Sequence, residues 1–200
     1  MKPLSKYVTI NPSRNGTLKI IRLDHIVALE YSILNSKLTA AELAVISEIE
    51  ATSSLLKLVT RLTGLRFAAI AKVTETNWTA CAVCDEIQFG VEPGHELEIE
   101  TTICNEIRAS RHTVLIDEVA TDPLYANHPV PKLYGFQSYF SMPIIFPNGV
   151  FFGTLCGLDP LPAKLGNPET VDTLKVFCTL LGSTLYAHEQ LLESQSEMSC

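Results

Sequence analysis

Two apolar, aromatic-rich stretches, residues 138–146 and 150–158, are separated by only Pro147, Asn148 and Gly149. Three turn-forming residues leave no room for a crossover, so the two stretches are predicted to fold back on each other as an antiparallel hairpin. The same pattern occurs earlier. Residues 67–73 and 78–87 flank a polar turn at 75–77 and read as a second hairpin. Pairs joined this tightly cannot form a parallel sheet, because each parallel connection needs about a dozen residues or more.

Helical periodicity brackets these hairpins. Leu23, Ile26, Val27, Tyr31 and Leu34 predict a short amphipathic helix. Thr39 stands three residues before Glu42, the spacing of a capping box, and Leu43, Ile46, Ile49, Leu55, Leu58, Val59 and Leu62 continue an apolar stripe towards Gly64. Thr101 or Thr102 is placed to cap a helix holding Ile103, Cys104 and Ile107, and residues 112–117 read as a brief strand. Pro168 and Glu169 open a last helix whose predicted buried face is Val171, Leu174, Phe177, Cys178, Leu181, Leu185 and Tyr186. Residues 88–98 read as a loop. Residues 118–137, with Asp122, Pro123, Asn127, Pro129, Pro131 and Gly135, read as a long irregular connection of the kind that lines a site. Hairpins with helices at both ends argue for an α+β domain, one mostly antiparallel sheet with helices packed on it. The predicted organisation is an arm and short helix at 1–37, one domain at 38–192 and a tail at 193–200.

Composition narrows the function classes. With 46% hydrophobic and 18% charged residues the chain is neither disordered nor collagen-like, and its longest apolar runs are too short to cross a bilayer. A net charge of −7 repels a phosphate backbone, so neither nucleic acid nor a membrane is an expected partner. Lys2, Lys6, Arg14 and Lys19 precede no signal-peptide-like apolar stretch, which points to the cytoplasm and to six cysteines kept as thiols. Cys81 and Cys84 are spaced as C-x-x-C, but on a regular strand residues three apart face opposite ways, and no second pair completes a metal site. Asp117, Glu118 and Asp122 read as solvated carboxylates at a strand end, and no glycine-rich phosphate loop occurs.

Thr102, Ile103 and Cys104, Asp117 with the Asp122–Pro123 turn, Tyr134, Gly135 and Phe136 with Ser138, Met142, Pro143 and Ile144, and Phe152 to Cys156 together carry a resemblance. From Thr39 to Leu192 the chain resembles GAF domains, especially those attached to bacterial two-component sensor proteins. The resemblance implies a central antiparallel sheet, the terminal helices packed on one face and a ligand pocket on the other. It implies that residues 118–137 form the pocket's lid. Cyclic nucleotides, bilins, haem and small metabolites all occur in such pockets, so no cofactor is named; the lid region holds no cysteine for a thioether-linked bilin.

The expected ligand-binding residues are Cys104 with Tyr125, His128, Tyr134, Phe136 and Tyr139, aromatic bodies with polar tips that suit a small organic molecule. No catalytic or metal-binding residue is expected. His188 followed by Glu189 lacks the arginine and proline that a sensor-kinase phosphoacceptor box carries after it. The function expected is that of a non-enzymatic sensory or regulatory module acting through its terminal helices. It would form a homodimer that buries Leu43, Ile46, Leu181 and Leu185 and address a kinase or response regulator. Two alternatives stand beside it: a thiol-based redox enzyme or sensor on the same fold, as in GAF-type free methionine sulfoxide reductases, and a dimerisation module whose pocket is filled by Tyr125, Tyr134, Phe136 and Tyr139.

Overall fold

Six strands form one sheet in which every neighbouring pair is antiparallel. The computed structural model describes residues 50–197 and two short segments, Tyr7–Val8 and Ile21–Arg22, which pair antiparallel with each other. In chain order the elements are α1 (Glu50–Thr63), β1 (Phe67–Val73), β2 (Asn77–Asp85), β3 (Glu96–Glu98), α2 (Cys104–Ser110), β4 (Val114–Ile116), α3 (Pro129–Tyr134), β5 (Ser138–Ile145), β6 (Phe151–Asp159) and α4 (Pro168–Glu197). The sheet order is β3-β2-β1-β6-β5-β4. Both predicted hairpins are present, and they meet along β1 and β6 at the centre. The predicted helix at 23–35 and the Thr39–Glu42 capping box lie outside the described residues.

Strand alternation sends the two faces of the sheet to different partners. Ala68, Ile70, Phe140, Met142, Ile144 and Leu155 point to one side, where α1 (Leu56, Val59) and α4 (Leu174, Cys178, Leu181, Leu185) cover them. Phe67, Ala69, Ala71, Trp78, Ala80, Tyr139, Cys156 and Leu158 point to the other, under α2 and the segment 118–137. α4 lies close on the sheet where its Gly182 crosses β5: a methyl group there would overlap the Ile145 carbonyl oxygen.

Several local expectations are corrected. Leu181 and Leu185, expected in a dimer bundle, are only 6% and 7% exposed because they pack on the domain's own sheet. Cys81 and Cys84 share the helix-covered side, since the ladder slips between Ile70 and Ala71 and Cys81 becomes the bulged residue. The loop at 88–98 contains β3, which pairs with the start of β2. Thr101 and Thr102 do not cap α2. Their hydroxyls donate back to the carbonyls of Glu98 and Ile99, closing a 3-10 turn before the helix. Residues 118–137 are more regular than their prolines suggest: a 3-10 turn spans Val119–Thr121, and Pro129 opens α3 at a position where its missing N–H has no helical partner to lose. α4 continues to Glu197, through the start of the segment read as a tail.

Candidate functional site

A cleft of about 700 Å³ opens on the side of the sheet opposite the long helices. One wall is the 87–91 turn with β3, the other is the end of α3 with Gly135 and Phe136, and Leu158 and Pro160 lie between them. The turn is held by Asp85, whose carboxylate accepts from Ile87 N and Gly90 N, each at 3.0 Å. Gln88 and Gly90 there both take left-handed backbone angles, φ 57° and 88°. Gln88, His95 and Glu96 give the cleft a polar edge, and Phe89, Tyr134 and Phe136 give it aromatic walls. Its volume lies in the range of small-molecule sites, roughly 300–1,000 Å³.

Beneath the cleft lies a second, apolar cavity of only about 50 Å³. Phe89, Tyr134 and Phe136 separate the two spaces and line both. Ring contacts bridge the opening, with Phe67 to Phe89 at 5.0 Å and Phe89 to Tyr134 at 5.8 Å between centroids. Phe136 stacks on Tyr139 at 5.3 Å, so the chain's own rings fill most of the interior on this side.

The six expected site residues divide into two groups. Cys104, Tyr134, Phe136 and Tyr139 line the inner cavity, and Tyr134 and Phe136 also face the outer cleft. Tyr125 and His128 line neither. They fasten the lid to α2 through Glu106: the Tyr125 hydroxyl donates to Oε2 at 2.8 Å, and His128 Nε2 meets Oε1 at 3.3 Å. The two rings lie 5.6 Å apart. His128 also caps α3, its Nδ1 accepting from Val130 N, which leaves Nε2 as the protonated nitrogen facing Glu106. Burial, then the hydrogen bond to Glu106, pushes the Tyr125 phenol above its ordinary range. Tyr134 is tied separately, its hydroxyl 3.0 Å from Thr101 Oγ1.

Cys104 begins α2 with its side chain turned into the sheet. Its sulfur lies 3.2 Å from Thr154 Oγ1, 3.4 Å from Tyr139 Oη and 3.7 Å from Ser141 Oγ. Cys156 of β6 shares this face, two residues from Thr154 and directly opposite Ser141 in the ladder, and lines the same inner cavity as Cys104. The neighbouring Cys156, followed by the Thr154, Tyr139 and Ser141 hydroxyls, lowers Cys104 to about 6 although burial acts in the opposite direction. Cys156 is pushed well above the ordinary thiol range by the neighbouring Cys104 and by burial.

Sequence reading missed Glu106, Gln88, Glu96 and Cys156. Glu106 stands in the first turn of a short helix and gives no motif, and Cys156 lies in an apolar strand where a thiol reads as packing. The carboxylates near 117–122 are occupied structurally: Asp117 accepts from Leu165 N, and Asp122 from Leu124 N and Tyr125 N. Among the described residues there is no cluster of three or more metal-ligating side chains and no helix long and apolar enough to cross a membrane.

The sheet order, the long helices on one face and the lidded cleft on the other agree with a match to the family model described as GAF domain, over residues 47–185. The chain belongs to the GAF domain family. Its fold recurs in solved structures. The GAF domain of an Acinetobacter phosphoenolpyruvate-protein phosphotransferase superposes with a TM-score of 0.56 at 12% identity, over 86% of this chain and 96% of that one. The type II free methionine-R-sulfoxide reductase of Thermoplasma acidophilum gives 0.54 at 15% identity, over 74% and 96%. The blue-light absorbing form of the Thermosynechococcus elongatus PixJ GAF domain gives 0.54 at 10%, over 79% and 90%. At these identities the likeness is one of fold. Comparison with curated proteins gave no significant match.

Proposed function

We propose that this GAF domain is a non-enzymatic sensory module of bacterial two-component signalling that takes a small organic molecule in the outer cleft. The observation that carries this reading is the cleft itself: about 700 Å³, aromatic walls, a polar edge and one side made of a lid. A ring-sized apolar body fits between Phe89, Tyr134 and Phe136, with Gln88, His95 and Glu96 left to recognise polar groups at the rim. The inner cavity is too small for such a molecule.

Occupancy reaches the helices only if the ligand binds one arrangement of lid and helix better than another. A path for that coupling runs along the chain from the cleft residues Leu158 and Pro160 to Asp159 between them, and across its ion pair to Arg66, just after α1. On the outer side of the long helices, Leu58, Leu62, Val176, Leu180 and Leu191 remain exposed and supply the surface for a homodimer that passes the signal to a kinase or response regulator.

The test is hydrogen exchange on protein carrying a small molecule identified by native mass measurement. Slower exchange in 87–97, 118–137 and the end of α1, abolished by Tyr134→Ala, supports the proposal. A bound molecule that leaves all three segments unchanged sinks it.

A further inference from the structure

The Cys104–Cys156 pair has no part in the ligand reading. Cys178, a buried thiol that only fills space, sits among hydrocarbon and is pushed up to about 12 by burial. Cys104 is placed differently. Although only 2% exposed, it has three hydroxyl groups within 3.7 Å, and one of them, Ser141, stands opposite Cys156, which lines the same small cavity. Hydroxyl groups that converge on a sulfur turn their O–H bonds to it once it is ionised and so stabilise its thiolate, the form that acts as nucleophile. Cys156 donates to the Ala69 carbonyl oxygen at 3.7 Å and stays protonated, and it lines the same cavity as Cys104.

We propose that Cys104 and Cys156 are a reversible dithiol site oxidised by hydrogen peroxide, with Cys104 the attacking sulfur and Cys156 the resolving one. In the first step the Cys104 sulfur bonds to one peroxide oxygen and the O–O bond breaks. Sulfur is oxidised to the sulfenic acid and peroxide is reduced; the departing hydroxide takes up the proton Cys104 released and leaves as water. In the second step Cys156 sulfur attacks the sulfenic sulfur, the S–O bond breaks and a second water leaves with the Cys156 proton. The balance is two thiols and one peroxide to one disulfide and two waters.

The small cavity explains the choice of oxidant. Both cysteines line it, and about 50 Å³ is a few times the roughly 10–15 Å³ that one water needs on the same measure, so it admits a molecule of a few heavy atoms and not a bulky hydroperoxide. Access runs past Phe89, Tyr134 and Phe136, the wall shared with the outer cleft. The product also has a mechanical effect. A disulfide brings the sulfurs to about 2.05 Å, well inside the contact distance of two thiols, and so draws the first turn of α2 towards β6. Glu106, two residues along that helix, carries the lid through Tyr125 and His128.

The chemistry is independent of any ligand in the cleft and is tested on the unliganded full chain. Fully reduced protein is treated with hydrogen peroxide, then mapped by peptide mass and thiol titration. The expected result is loss of two thiols, a single Cys104–Cys156 linkage reversed by dithiothreitol, and altered hydrogen exchange at 118–137. Cys84→Ser should behave as wild type, and in Cys156→Ser the reaction should stop at a Cys104 sulfenic acid trapped by dimedone. Cumene hydroperoxide should react at least about tenfold more slowly, being too large for the cavity. The wild-type map decides even if a variant fails to fold. Linkage through Cys81 or Cys84, or Cys104 and Cys156 still reduced after the other thiols have been oxidised, overturns the proposal; equal rates for the two oxidants overturn the cavity as the route.

Discussion

Asp159 holds Arg66 with both carboxylate oxygens: Nε donates to Oδ2 and Nη2 to Oδ1, each at 2.8 Å, and the Arg66 backbone N–H adds a third bond to Oδ2 at 3.1 Å. Leu161 N donates to Oδ1 at 2.9 Å. The Asp159 carbonyl accepts from Gln137 N at the end of the lid. One residue at the end of β6 thus joins the exit of α1, the lid and the edge of the cleft. This arrangement makes Asp159 a structural hub.

Asp159→Ala leaves the Arg66 and Leu161 backbone donors without their acceptor and should destabilise the domain by about 2 kcal/mol in denaturant unfolding. The pH dependence has a definite sign. The Arg66 guanidinium, opposed by burial and helped by the two backbone donors, holds the Asp159 carboxyl below its ordinary value. Its contribution is therefore complete above the unfolded carboxyl value near 4 and disappears as pH falls through the lower folded value. The difference between wild type and Asp159→Asn should be constant from about pH 5 to 7 and shrink below about pH 4. A difference that grows on acidification contradicts this.

Tyr125→Phe removes the hydroxyl bonded to Glu106 but keeps the ring against His128. A loss of about 1 kcal/mol is expected, because Glu106 is partly solvated and water replaces part of the bond. Amide exchange in 118–137 should accelerate while that of β1 and β6 stays unchanged. Uniform acceleration across the sheet would place the effect in global stability instead.

Gly182→Ala sets helix propensity against packing. Alanine favours the helix by about 1 kcal/mol, but its methyl group meets the Ile145 carbonyl of β5, a rigid backbone atom. Overpacking of this kind costs about 1–3 kcal/mol, so the net change should be destabilising. A higher melting temperature for the variant would show that α4 can lift away from β5 freely.

Leu180 is 57% exposed on α4, and Leu181 beside it is buried on the sheet. Leu180→Glu should shift a homodimer towards monomer, seen by light scattering, with the melting temperature of the domain nearly unchanged. Leu181→Glu should instead unfold it, since a carboxylate would enter the core. Identical dimer populations for wild type and Leu180→Glu, measured near the dissociation constant, refute this surface as the contact.

The two hairpins and the terminal helices were legible because each is written locally, in alternation, turn residues and helical periodicity. What could not be read was which distant segments meet. The bulge at Cys81 depends on how β1 and β2 slide past each other, and two cysteines in separate elements carry no common spacing. Tyr125 and His128 were recognised as lid residues with polar tips, but their partner Glu106 lies on another element, so a latch was read as a binding group. Leu181 and Leu185 were rightly read as a buried stripe and assigned to the wrong partner. Periodicity identifies the apolar side of a helix and is silent on what covers it.

By itself the sequence determined an antiparallel α+β domain, its two hairpins and the helices that flank them, because short-range sterics and hydrophobic patterning act within a few residues. Tertiary structure alone decided that the interior is nearly filled and the open cleft lies outside it. It also decided that Asp159 joins helix to lid and that Cys104 faces Cys156 among three hydroxyl groups. Those outcomes depend on packing between residues tens of positions apart, where distance in space is set by the folded sheet rather than by the order of the chain.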